Sequence, residues 1–401
     1  MARPGVVVQT GTSARTDARP LFAATFCLFA LGLYAWANPY LAAPAFWAED
    51  GLVFWNAAYS EPFYRPFLEP YAGYLHLIPR LIAASATLLP YKVQPAFYAY
   101  ASVAFSAWTA ALVCVSVQRR AVGLAFALLM VVVPHTGEVW ATPTNLQWIM
   151  ACALPVIALS PVPESRFVRV SQLAFMVLAA LTGPFMVLSA PLWAVRAVRC
   201  WRARDRHGAA LVAIAAAGAL VQLYFMTRQA VMVDVAGTVR DFPLALGTFL
   251  LRWMVQCTGP VSVLSLLFVV TLLGSLIFGR DRVLRAGCLG FGLMILFATA
   301  HKFANAIDSL NAPNADRYFF IPSVMAAFIW ASLVADPGAR WLRLPAGLLL
   351  LQFVFQAVTT PLAERKPTEF AANWRGYAHL IGKQDVTVTF PPNWQIVVKA
   401  K

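Results

Sequence analysis

The sequence predicts an all-α integral membrane protein of about 10–12 transmembrane helices with a very small C-terminal extramembrane tail. Of its 401 residues, 60% are hydrophobic and 12% charged, and the mean hydropathy is +0.68. A soluble domain carries about 25% charged residues. Uncharged runs long enough to span a bilayer, about 20 residues each, recur along the whole chain. Between them the arginines gather in short loops.

Taken in order, residues 1–20 are polar and Arg-bearing and read as a disordered cytoplasmic N-terminus. The first run, 21–40, contains Ala35-Trp36-Ala37, which resembles a signal cleavage site. It is longer than the apolar core of a signal peptide, so it reads as an uncleaved first span. Further runs fall at 93–118, 139–163, 170–195, 208–227, 253–279, 286–300, 318–335 and 344–363. Two weaker ones are 73–91, which contains Arg80, and 121–134, which is short. Together they make a polytopic region over 21–363, followed by a tail over 364–401. In the tail, VTVTF (386–390) alternates like a strand and PPNWQIVV reads as a turn into a second.

The basic loops orient the runs. RAVRCWRARDRH (196–207), RDRVLR (280–285) and DPGARWLR (336–343) are each separated by two spans, so all share one side. By the positive-inside rule that side is the cytoplasm. The N-terminus then starts inside, and the first outer loop (41–72) and the tail lie outside. Two arrangements of the middle satisfy this parity. Simple alternation of eleven spans puts HTGEVWATPTN (135–145) inside and Arg119-Arg120 outside. Alternatively, 121–134 is re-entrant and 170–195 is a hairpin of half-helices broken at Gly183-Pro184, because proline interrupts a helix and such breaks persist where they line a cavity. The second arrangement, which is preferred, puts Glu138 on the same side as Asp50.

The net charge of +14 follows from the loop arginines and the scarcity of acids in a chain with little aqueous surface. With no soluble basic domain, nucleic-acid binding is excluded. Of the six cysteines, five lie in apolar runs, and Cys200 lies in the Arg-rich loop. Their spacing shows no disulfide framework and no metal motif.

FWAEDGLVFW (46–55) places Glu49 and Asp50 among apolar and aromatic residues. The simplest reading is a pair of solvated acids marking the end of a span. The aromatic neighbours, which would draw the segment onto the bilayer surface, weigh against it, as does the turn permitted by Gly51. Downstream, EPYAGYLHLIPRLIA (69–83) brings Tyr71, Tyr74, His76 and Arg80 to the outer end of a span, with His76 and Arg80 four apart on one helical face. Arg80 either snorkels to headgroups or grips a lipid-linked phosphate through paired donors. HKFANAIDSLNAPNADRYFFIP (301–322) puts His301, Lys302, Asp308, Asp316, Arg317 and Tyr318 on the same outer side. Cations there oppose the usual bias and suit an anionic substrate. An aromatic belt is the first reading of Tyr318 and a substrate contact the second, and a belt accounts for Tyr71, Tyr74, Trp47 and Trp55 almost as well as stacking on sugar rings does. Glu138 and Asn145, at a helix break, are weaker candidates for substrate binding.

The layout resembles the GT-C glycosyltransferases, polytopic enzymes that use polyprenyl-phosphate sugars. FWAEDG looks like that family's acidic motif after the first span, and Arg317-Tyr318 in NADRYFFIP looks like its RY pair. GEVWATPTNLQW (137–148) and LTGPF (181–185) resemble polar breaks in poorly characterised bacterial members. The chain departs from well-studied members in lacking a large periplasmic domain. The resemblance implies sugar transfer at the outer face of the bacterial inner membrane onto an envelope glycan, polysaccharide or lipid acceptor. Asp50 or Glu49 would be the base, Arg80 and Arg317 would bind the donor phosphate with His76 and Lys302 behind them, and a divalent cation could sit at Glu49–Asp50. A transporter or flippase, or a non-enzymatic envelope assembly protein, is the alternative. The absence of internal repeats weighs against transport.

Overall fold

The computed structural model describes residues 17–134, 138–228, 235–304, 316–359, 369–390 and 394–400. The helices, in chain order, are α1 (Arg19–Trp36), α2 (Asn38–Ala42), α3 (Asn56–Ser60), α4 (Leu77–Ala86), α5 (Gln94–Ser116), α6 (Arg120–Val131), α7 (Leu146–Ala151), α8 (Leu154–Leu159), α9 (Arg166–Ala180), α10 (Phe185–Leu188), α11 (Ala190–Ala203), α12 (Arg206–Arg228), α13 (Val235–Thr258), α14 (Ser262–Ile277), α15 (Arg282–Lys302), α16 (Arg317–Ala335), α17 (Arg340–Thr359) and α18 (Glu369–Tyr377). Strands β1 (Val386–Phe390) and β2 (Trp394–Val398) pair antiparallel, Val386 against Val398, where the alternation in the tail predicts them.

Six helices among the described residues are long and apolar enough to cross a membrane: Arg19–Trp36, Tyr91–Ser116, Arg206–Arg228, Arg282–Lys302, Arg317–Ala335 and Pro337–Thr359. A seventh span forms if Thr238–Thr258 and Ser262–Ile277, bent by 106°, count as one. This is a multi-pass all-α membrane protein. α16 is its axis, with 89% of its apolar window buried, whereas α1 on the periphery has 17% buried.

The other apolar runs fold as shorter pieces. α6 rises from Arg119-Arg120 and stops before Pro134, and α7 and α8 return with Pro155 at the start of α8. Both ends of this hairpin come back to one place, since Arg119 and Ser160 line the same small cavity. α9 and α10–α11 form a second hairpin, broken at Leu181–Pro184. The apices of both hairpins, at 138–145 and 181–184, meet the segment that carries Asp50 and residues 75–78, while Arg119 departs from both sequence arrangements.

Arg119, which simple alternation places on the opposite side, sits with the basic loops: its guanidinium lies 3.6 Å from Asp281 and 3.8 Å from Asp336. Asp336 is fully buried and joins α14–α15 to α16–α17 by accepting hydrogen bonds from Arg280 N (2.7 Å), Gly338 N (2.9 Å) and Arg285 Nη2 (3.3 Å). Burial alone would raise its pKa, but these donors outweigh it and hold the carboxyl below the ordinary range. Arg196 likewise bonds Ser160 O at 2.6 Å and Asp205 at 3.0 Å.

The tail packs on the opposite end. Trp374 of α18 is 3% exposed, donates to Tyr91 O at 2.8 Å and meets the Phe46 ring edge-on at 4.7 Å. Phe390 of β1 lies directly on Gly51, where an added Cβ would come within 2.7 Å of the ring.

Removing one partner of a buried ion pair leaves an uncompensated charge, at a cost of about 3–5 kcal/mol. Asp336→Asn should lower the thermal stability of the purified protein far more than Asp281→Asn, whose parent side chain is 34% exposed. Equal, small shifts would show that the Asp336 network does not hold this end together.

Candidate functional site

Asp50 opens a π-helix, Asp50–Trp55, in the segment after α1 and α2. The wider i→i+5 winding is uncommon and recurs at functional sites. Here it turns Asp50 inward, to 1% exposure. Its Oδ1 accepts from the backbone N–H of Thr144 at 2.9 Å and from the Thr144 hydroxyl. Thr144 lies in the break between α6 and α7, 94 residues away in sequence. The acid pair is therefore bound to the apex of the first hairpin.

That apex carries Glu138 and Asn145. Asn145 Nδ2 donates to Glu138 O at 2.9 Å, and Glu138 Oε1 accepts from Arg317 Nη1 at the start of α16. Glu49, 8% exposed, accepts from the Tyr71 hydroxyl at 3.4 Å. Burial, then the Glu49 charge, push the Tyr71 phenol up to about 12. Tyr318 packs edge-on against Trp148, with ring centres 5.3 Å apart.

The second hairpin reaches the same place from below. Gly183 N donates to Leu75 O (2.9 Å), Leu77 N to Leu181 O (2.9 Å), and Ile78 N to the Thr182 hydroxyl (3.2 Å). Gly183 has φ +89°, and an added Cβ would lie 2.2 Å from Gln147 Oε1, so only glycine lets the two apices meet. Gln222 of α12 completes the junction by accepting from Leu75 N at 2.9 Å.

Backbone strain gathers here. Among the described residues, the non-glycine residues with positive φ are Ala48 (35°), Ala72 (53°), Ala141 (58°) and Arg204 (54°). Ala48 precedes the acid pair, Ala72 follows Tyr71, and Ala141 sits in the Glu138–Asn145 apex; only Arg204, a helix C-cap, lies elsewhere. Each such residue costs of order 1–3 kcal/mol and persists only where its surroundings impose it, most often at active sites and ligand clamps.

The expected site residues therefore divide. Asp50, Glu49, Tyr71, Glu138, Asn145, Arg317 and Tyr318 come together. Tyr74 is attached through a bridge to Tyr71 and a ring contact of 4.7 Å to His76. His76 differs from the expectation of a cation. It precedes α4 with non-helical backbone, so it shares no helical face with Arg80. It lies among the rings of Phe54, Tyr71 and Tyr74, in an apolar setting. Burial, then Arg80, push its pKa down to about 3, so it is neutral.

Arg80 belongs to another cluster, its guanidinium 4.9 Å over Phe54 and its Nη2 3.4 Å from Glu69 O. Trp55 is there too, bonded through Nε1 to Gln94 (2.6 Å) and stacked on Tyr59. Lys302 is exposed at the end of α15, its ammonium 5.4 Å from the Phe303 ring centre. Asp308 lies outside the described residues. Asp316 pairs with Arg252 of α13 at 2.6 Å rather than with Arg317. Among the described residues no three His, Cys, Asp or Glu side chains are grouped as metal ligands. All six cysteines are free thiols.

Thr144 and Gln147 were not singled out from the sequence. The signal was the polar TPTN stretch in an apolar run, but nothing in one sequence pairs it with Asp50. Compared with known proteins, the chain matches no family model and no curated sequence.

Ala72 is exposed, so replacing it with glycine removes strain without losing burial. The left-handed conformation costs about 1–2 kcal/mol for a residue with a Cβ, against about 0.5–1 kcal/mol of extra chain entropy for glycine. Ala72→Gly should therefore raise the thermal midpoint slightly, and Ala72→Val should lower it clearly. The reverse order would remove the strain from the site.

Proposed function

We propose that this chain is a membrane glycosyltransferase that moves a sugar from a polyprenyl-phosphate donor to an envelope glycan or lipid acceptor. Asp50 is the general base. The observation that carries the reading is the meeting of a buried carboxylate, oriented by Thr144, with Arg317 at the junction of two broken helix hairpins. Glycosyl transfer needs a base to take the acceptor hydroxyl's proton as the anomeric carbon is attacked. It also needs a fixed cation near the leaving phosphate. Arg317, oriented by Glu138, supplies that cation, and Tyr71 holds Glu49 beside the base. Basic loops gather at one end of the bundle and the acid cluster towards the other. By the positive-inside rule the reaction then faces the outer side of the bacterial inner membrane.

The paired helix breaks also favour a second reading, since transport sites are built from discontinuous helices. Purified protein in proteoliposomes with radiolabelled polyprenyl-phosphate sugars separates the two: transfer to an acceptor marks the enzyme, and movement of intact donor across the bilayer marks a transporter. Asp50→Asn should lower transfer by about 10²- to 10⁴-fold while the protein still folds and inserts. Thr144→Val, which keeps the backbone N–H, should lower it less. Full activity in the Asp50→Asn, Glu49→Gln double variant would eliminate the catalytic role of both acids.

A further inference from the structure

Three arginines are buried among the described residues: Arg80 (4% exposed), Arg196 (4%) and Arg285 (0%). Arg196 pairs with Asp205 and Arg285 with Asp336. Arg80 has no carboxylate within ion-pair distance among the described residues. The nearest acid in sequence, Glu69, is engaged by exposed Arg65 at 3.2 Å and offers Arg80 only its backbone carbonyl, at 3.4 Å. Nε and Nη1 of Arg80 have no acceptor among the described residues. A guanidinium stays protonated at any physiological pH. A desolvated charge costs several kcal/mol, and the contact with Phe54 returns roughly 2 kcal/mol at best. A positive charge with two unbonded, buried donors is therefore held in place by the fold with no carboxylate at ion-pair distance among the described residues.

Arg80 lines a cavity of about 290 Å³ beside α3 and α4. Its walls mix aromatic and polar residues, with Trp55, Tyr59, Phe67 and Tyr91 among the rings that line it. The one acid in the wall, Glu61, is held by Arg65 at 3.0 Å. Small-molecule sites combine such apolar and aromatic walls with a few fixed polar groups, over about 300–1,000 Å³. This cavity is at the small end, with room for a single ring and its substituents and not for paired acyl chains. Aromatic faces accept the C–H face of a sugar ring, and the guanidinium fork matches the two oxygens of a carboxylate or phosphate.

We propose that the cavity between the first loop and α4 binds an anionic saccharide, a sugar ring bearing a carboxylate or phosphate gripped by Arg80. This goes beyond sugar transfer at Asp50 and does not depend on it, because the site is defined by binding alone.

The test uses the full chain in phosphatidylcholine nanodiscs, with glucuronate, glucose 6-phosphate and glucose as probes, read by saturation-transfer NMR and thermal shift. At least one of the two anions should bind, more weakly as salt rises, and glucose should bind least. Arg80→Gln should weaken anion binding by about 10- to 100-fold. Arg228→Gln, an exposed arginine at the end of α12, should leave it unchanged. Ala84→Leu fills the cavity with Arg80 intact and should also abolish binding, which separates loss of the site from loss of fold. Equal binding by wild type and Arg80→Gln would overturn the proposal, as would glucose binding as tightly as the anions. So would the absence of binding by either anion, or a response only when phosphatidylglycerol replaces phosphatidylcholine, which would make the ligand a lipid headgroup.

Discussion

A carboxylate at 1% exposure beside membrane-spanning helices needs donors from the protein itself, and Thr144 gives Asp50 two of them, its N–H and its hydroxyl. The rest of the architecture follows from this contact. Thr144 can offer both its N–H and its hydroxyl because the chain between α6 and α7 is not helical, so its amide is not committed to a ladder. Irregular backbone at that depth must in turn be satisfied within the protein. The Glu138–Asn145 contact, the Arg317 ion pair and the Gln147–Gly183 junction meet that requirement. α4 is shorter than a span because its N-terminus begins at this junction, where residues 75–78 bond the second break.

The tail extends the same constraint upward. Phe390 covers Gly51, and Trp374 closes on Phe46 and Trp55. The acid pair is thus held from below by Thr144 and from above by aromatic packing. The Tyr59 hydroxyl bonds Lys399 O at 3.0 Å, which ties the end of β2 to α3. With about forty residues and two strands, the tail has too little core to fold alone; its buried residues find their core in the first loop.

How much of this was legible follows from the range of each interaction. The membrane class, the shared side of the basic loops and the unusual placing of Glu49–Asp50 are compositional signals, visible because charge is rare in this chain. The helix break at Gly183-Pro184 is local chemistry and was legible for the same reason. The pairing of Arg317 with Glu138 joins residues 179 apart, and no pattern in one sequence encodes it. His76 shows a different limit. Its spacing from Arg80 is right for a shared helical face, but the helix starts one residue later, and the aromatic neighbours that keep the ring neutral come from separate loops. Trp55 is five residues from Asp50 in sequence, but the π-helix turns it towards Gln94 and Tyr59.

The two arginines expected to share one phosphate are in opposite electrostatic conditions. Arg317 is matched by Glu138 and steered by its neighbours, so it enters any reaction already oriented, with little net charge left uncompensated. Arg80 is equally fixed in position by Phe54 and Glu69 O but carries its charge unmatched. A matched cation can stabilise charge that develops transiently without binding a ground-state anion tightly, which is what a transition state rewards. An unmatched, desolvated cation favours an anion that is present throughout. On the proposed reading the two tasks fall to two clusters that share the first loop, one for bond-making and the other for holding a charged partner.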